Sequence, residues 1–131
     1  MRNKTNEVSV DRITRVNEIL KREIADLLQR QSFSEKYNAL VSVTRVECST
    51  TLKQADVYVS MFGVEAGSDR EREILAALGR LKGDIQRRMS KHVILKYTPV
   101  LHFQADHNLA EGDRVIQLLR ELEDSENNEN L

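Results

Sequence analysis

A chain of 131 residues is long enough to bury a core and short enough to be one domain. A formal net charge of -1 excludes an indiscriminate polyanion binder, and the lone cysteine, Cys48, excludes an internal disulfide and fits a reducing compartment. No run approaches the roughly 18 apolar residues of a membrane span, and the opening MRNKTNEVSV lacks the apolar core of a signal peptide. A cytoplasmic protein without membrane attachment is therefore expected. Its charges are segregated: residues 70 to 96 carry eight Lys or Arg against three Asp or Glu, whereas residues 106 to 131 carry two against eight. The first stretch can meet an anion, which the second would repel.

Residues 1–8 are polar and expected to fray. From Ser9 or Asp11, either an acceptable N-cap, Ile13, Val16, Leu20, Ile24 and Leu27 recur at spacings of three and four, which predicts an amphipathic helix ending near Gln31. Arg12, Arg15 and Arg22 share another face of it, either as ordinary solvated charge or as a second basic strip. SFSEKYNA is rich in turn formers. LVSVTRVEC follows as a strand whose alternation changes phase, so either a bulge lies near Thr44 or both faces are buried. After STTLKQ, ADVYVSMF alternates cleanly, and the two strands form an antiparallel pair.

GVEAGSD breaks that strand and leads to the most informative stretch, residues 68 to 103. Ser68 with Glu71 three residues on forms a capping box at a helix start. At about 100° per residue, Ile74, Leu78, Leu81, Ile85 and Met89 fall on one stripe that faces a core. Ala76, Gly79 and Gly83 line up on the opposite side, flanked by Arg80, Arg87 and Lys91. A glycine inside a helix costs on the order of 1 kcal/mol against alanine, so two on the side turned away from the core need a reason. Either the helix kinks near Gly83, or bare backbone is left for an approaching phosphate chain. One feature can serve both. An ordinary solvated basic face on a bent helix is the plainer alternative.

Pro99 suits the start of a third strand in which Leu101, Phe103 and Ala105 alternate with Val100, His102 and Gln104. Asn108 and Glu111 form a second possible capping box, and Val115, Leu118, Leu119 and Leu122 supply the apolar side of a short helix. Residues 123–131 are acidic, without a hydrophobic cluster, and expected to be disordered. The order is that of an α+β domain over residues 9–122, with helices on one face of a three-stranded sheet.

Catalytic chemistry finds no support. Cys48, His92, His102, Asp106 and His107 have no metal-ligand spacing, and no P-loop, nucleophile elbow or isolated carboxylate pair stands out. Neither a metal nor a cofactor is expected, and the chain is not expected to be an enzyme.

Three stretches carry a resemblance. Arg12-Ile13-Thr14-Arg15-Val16 with Ile19, Glu23-Ile24 and Leu27-Leu28 resembles the opening helix of bacterial ribosome-binding factor A. The same holds for Ala55-Asp56-Val57-Tyr58-Val59-Ser60, and for Pro99-Val100-Leu101-His102-Phe103 leading to Asp106, Glu111-Gly112-Asp113-Arg114-Val115 and Leu118-Leu119. The resemblance implies a type-II KH-like fold, αββααβ, in which an Ala-x-Gly kink replaces the usual GxxG turn between the two middle helices. That kink falls on Leu81-Lys82-Gly83, where Leu81 departs from the small residue of the family. It also implies a non-catalytic factor that binds the small ribosomal subunit and its RNA during late assembly and matters most in the cold. Assembly GTPases are further candidate partners, and a monomer is expected.

KH-like domains offer RNA a basic groove beside the kinked pair. The positions for that role are Arg80, Lys82, Gly83, Arg87, Arg88 and Lys91, with Arg12 and Arg15 less directly placed; each cation would position phosphates rather than read bases. The rival reading is a protein-interaction module that uses the sheet's open face or the acidic C-terminal helix, with the basic face incidental.

Overall fold

The computed structural model describes residues 8–92 and 99–107. The first helix, α1, spans Val10–Arg30, and the Ser9 side chain accepts from the Arg12 amide at its start. Val16, Leu20, Ile24 and Leu27 are buried along it, as the periodicity requires. One turn of helix, α2 (Phe33–Lys36), interrupts the segment expected to be loop, and it buries the Phe33 ring beside Tyr37. Its hydroxyl-bearing Ser34 accepts from the Val41 amide at 3.0 Å.

Strands β1 (Leu40–Cys48) and β2 (Gln54–Phe62) pair antiparallel, and the register slips between Val43 and Arg45. The phase change in the sequence is thus a bulge at Thr44, which lets Val41 before it and Val46 after it both face the core. β3 (Val100–Ala105) lies parallel to β2, giving the order β1-β2-β3. Ala55, Val57, Val59 and Leu101 are buried against the helices, while Asp56, Tyr58, His102 and Gln104 occupy the other, open face.

Between β2 and β3 the long helical stretch is two helices, α3 (Asp69–Gly79) and α4 (Lys82–Met89). Ser68 accepts from the Glu71 amide at 3.2 Å, so half of the expected capping box forms. The other half does not. The Glu71 carboxylate turns instead to His107 Nε2, 3.0 Å away beyond β3. Ile74, Leu78, Ile85 and Met89 are almost fully buried, and Leu81 packs partly against the same core. The architecture is α+β and KH-like, with α1, α3 and α4 layered on one face of the sheet. The fraying expected of residues 1–8 does not extend to Val8, whose amide donates to the Thr50 carbonyl at 2.7 Å and whose side chain packs against the core; residues 1–7, the helix expected after residue 108 and the acidic tail lie outside the described residues.

Candidate nucleic-acid interface

The interruption between α3 and α4 falls on Arg80 and Leu81, between the two glycines. The Arg80 amide is shared by the Ala76 and Ala77 carbonyls at 3.2 Å each, and the Leu81 amide donates to Leu78 at 3.0 Å. The last turn of α3 is therefore tightened toward 3₁₀ geometry before α4 restarts. Two forces set the position. Leu81 is drawn toward the core, while Gly79 and Gly83 weaken the helix on either side of it. A side chain larger than the family's alanine thus packs inward at the kink without removing it. No side chain caps the start of α4, because its N-cap is Leu81. Amides of a first helical turn lack intrahelical partners and point outward with the positive end of the helix dipole.

Neither glycine is there for a left-handed backbone, since positive φ among the described glycines belongs to Gly63 and Gly67. A methyl group built on Gly79 meets nothing within 4 Å, and one on Gly83 meets only the Arg87 guanidinium, at 3.7 Å. Both positions are bare backbone at the surface. Lys82 is half-exposed and Arg80 and Arg87 exposed around them, and Lys91 is exposed just past the end of α4. Arg80, Lys82 and Lys91 enter no ion pair among the described residues. Arg87 pairs with Asp84 one turn earlier on the surface; such an exposed pair is worth about 0 to 1 kcal/mol and can be exchanged for a phosphate.

Arg88 is placed differently. Its guanidinium turns to α1, where it meets Glu23 at 3.1 Å and also Asp26, and its side chain is 24% exposed. His92 closes on the same Glu23. Burial by itself pushes the Glu23 carboxyl up, but hydrogen bonds from Arg88 and His92 outweigh it and hold the group below its ordinary value. The Arg30 hydrogen bond, with that of Arg88, does the same for Asp26. Arg88 is thus a tie between helices and is withdrawn from the set that could face RNA. The wheel carried this signal: three residues past Ile85, Arg88 borders the apolar stripe rather than the glycine side. Glu23, buried mid-helix, is the residue that sequence reasoning missed.

Arg88 meets residues 23 and 26 while the later His92 meets 23, so α4 runs antiparallel to α1. Lys91 therefore lies toward the half of α1 that carries the exposed Arg12 and Arg15. By helical rise, Arg15 stands roughly 12 Å from Glu23 and Arg80 roughly 12 Å the other way from Arg88. The structure accordingly gathers Arg80, Lys82, Gly83 and Arg87 at the kink. It sets Lys91, Arg15 and Arg12 along a strip leading away from it. Cys48 takes no part: burial raises its thiol to about 11, leaving it protonated and inert at neutral pH. Among the described residues no group of His, Cys, Asp or Glu is gathered as a metal site needs, and no helix is long and apolar enough to cross a membrane.

The sequence model of one family, Ribosome-binding factor A, matches residues 12–119. The chain belongs to the ribosome-binding factor A family. A ribosome-binding factor A of Acetivibrio thermocellus is 34% identical over 112 residues, covering 86% of this chain and 89% of that one. One from Clostridium novyi is 33% identical over 119 residues, covering 91% and 96%. The crystal structure of ribosome-binding factor A from Thermus thermophilus superposes with a TM-score of 0.56 over 71% of this chain and 93% of that one, at 24% identity, and so shares the fold. A homology model of the Thermus thermophilus factor, fitted into the map of a 30S–RbfA complex, gives a TM-score of 0.50 at 26% identity over 67% and 88%.

Proposed function

We propose that this protein is a non-catalytic ribosome assembly factor that binds the small ribosomal subunit and its RNA during late maturation, through the bare, cationic side of the α3–α4 break. Family membership supports the ribosomal partner, because a relative has been fitted into a complex with the 30S subunit. The observation that carries the surface assignment is the open space over Gly79 and Gly83, bordered by Arg80, Lys82 and Arg87. A glycine admits a phosphate to within hydrogen-bonding distance of the backbone, where any side chain would hold it off. The first turn of α4 carries no side-chain cap, and the cations supply the sequence-independent attraction. Lys91, Arg15 and Arg12 would continue the path of the strand. The protein acts as a monomer in the cytoplasm, needs no cofactor, and has an assembly GTPase as a further candidate partner.

The test is charge reversal of Arg80, Arg87 and Lys91 together to Glu, followed by co-sedimentation with small subunits. Loss of binding with an unchanged thermal unfolding midpoint is expected. Retained binding with the same salt dependence overturns the surface assignment.

A further inference from the structure

We propose that Arg22 of α1 is a further phosphate-binding residue, the middle contact that carries an RNA strand from the α3–α4 break across the seam between α4 and α1 to Arg15. The inference rests on the RNA-binding surface proposed above and extends it. That surface has a gap. Arg80, Lys82 and Arg87 gather at the break, Arg15 and Arg12 lie far along α1, and of the residues assigned so far only Lys91 stands between the two groups.

Helical geometry puts Arg22 in that gap. Seven residues separate it from Arg15, so the two differ by about 20° round α1 and by roughly 10 Å along it; Asp26, four residues on, falls about 40° from Arg22. The three form one row, and its Asp26 end is where Arg88 arrives from α4. Because α4 runs antiparallel to α1, the residues after Arg88 pass back along α1 toward Arg22, and His92 already meets Glu23, the immediate neighbour of Arg22. Side-chain exposure rises from 11% at Glu23 to 37% at Asp26. Arg22 lies further round in the same sense and is exposed, as Lys91 is on the α4 side. The two cations therefore border the solvent side of the seam at one level.

Charge bookkeeping explains why both are available. An arginine four residues before an aspartate is in reach of it, but the opposite order gives the better pair, and Asp26 is taken by Arg30 four residues later and by Arg88. Glu23 is taken by Arg88 and His92. The two carboxylates at the seam are thus neutralised, and Arg22 enters no ion pair among the described residues. Glu18, one turn earlier, is exposed and bonded to neither Arg22 nor Lys91. Like charges left side by side repel each other until an anion bridges them. An acidic protein surface could do so, but this row continues the bare, cationic surface of the break, and a strand that leaves Gly83 meets Arg87, Lys91, Arg22 and Arg15 in that order.

Salt titrations of binding to small-subunit RNA, both protein-free and within the intact subunit, test this. The variants are Arg22→Gln, Arg22→Lys and a charge-matched control, Lys21→Gln, whose exposed side chain projects about 100° from Arg22 on the side away from Asp26. All three leave the core intact, so urea midpoints should not move. Arg22→Gln should flatten the fall of log affinity with log salt by about 0.7, the loss of one phosphate contact on single-stranded RNA. Arg22→Lys should restore the slope, and Lys21→Gln should leave it unchanged. If Arg22→Gln is as silent as Lys21→Gln while the triple reversal at Arg80, Arg87 and Lys91 abolishes binding, this inference alone is overturned. Binding that survives the triple reversal overturns the underlying surface and the inference with it. An effect of Arg22→Gln on intact subunits but not on protein-free RNA assigns Arg22 to a ribosomal protein and overturns the phosphate contact.

Discussion

Gly83 separates folding from function more cleanly than any other residue. Its backbone is right-handed and a methyl group fits over it, so Gly83→Ala should raise stability by about 0.5 to 1 kcal/mol through helix propensity. The same methyl stands where a phosphate would approach, so affinity for small-subunit RNA should fall while the urea midpoint rises; a filter-binding titration beside a denaturation curve checks both. Arg88 predicts the reverse pattern. Arg88→Met leaves Glu23 buried without its main partner and should lower stability, yet leave the salt dependence of RNA binding unchanged. The acid limb follows from the signs of the shifts. Glu23 and Asp26 are held below their ordinary 4.5 and 3.8, so their contribution is complete above those values and disappears as pH falls through the depressed ones. Urea midpoints should therefore drop more between about pH 5 and 3 in the native protein than in Arg88→Met.

At the scale of elements, the edge strand β1 shows how local side chains finish what the sheet leaves open. The Val41 amide near one end is taken by Ser34, and the Cys48 amide at the other by Asn17 Oδ1 at 2.8 Å. Outward backbone donors on an edge invite pairing with another chain, and these two are already occupied. Ser34→Ala strands the Val41 donor and should cost about 1–3 kcal/mol, seen as a lower urea midpoint. The helical layer is governed by packing instead. Leu78 is fully buried at the end of α3, one turn before the restart of α4. Leu78→Ala should cost about 2–5 kcal/mol, and because that site anchors the break, RNA affinity should fall with it.

Across the whole molecule, the modest net charge conceals a separation that the fold makes spatial. Arg80, Lys82, Arg87 and Lys91 stand on the outer side of the helical layer, whereas Asp56 and Glu47 belong to the opposite, open side of the sheet. Binding should therefore depend on salt as a local phosphate contact does. A plot of log affinity against log salt should fall by roughly 0.7 for each phosphate neutralised on single-stranded RNA. The triple reversal at Arg80, Arg87 and Lys91 should flatten that slope by about two units or more.

Local spacing alone determined most of the architecture. The apolar periods of α1 and of the α3–α4 stretch, the caps at Ser9 and Ser68, the phase slip at Thr44 and the paired glycines are short-range facts, and each appears in the structure where the residues put it. What the chain order could not express is who meets whom across long separations. Arg88 with Glu23, His107 with Glu71 and Thr44 with Asp106 are contacts between residues 36 to 65 positions apart. In each, a polar group becomes buried or anchored only after the helices and strands have packed. Helical spacing marks an arginine as outside the core, but only the neighbouring helix decides whether it turns to solvent or to a carboxylate. That is why Arg80 kept its place at the surface and Arg88 did not.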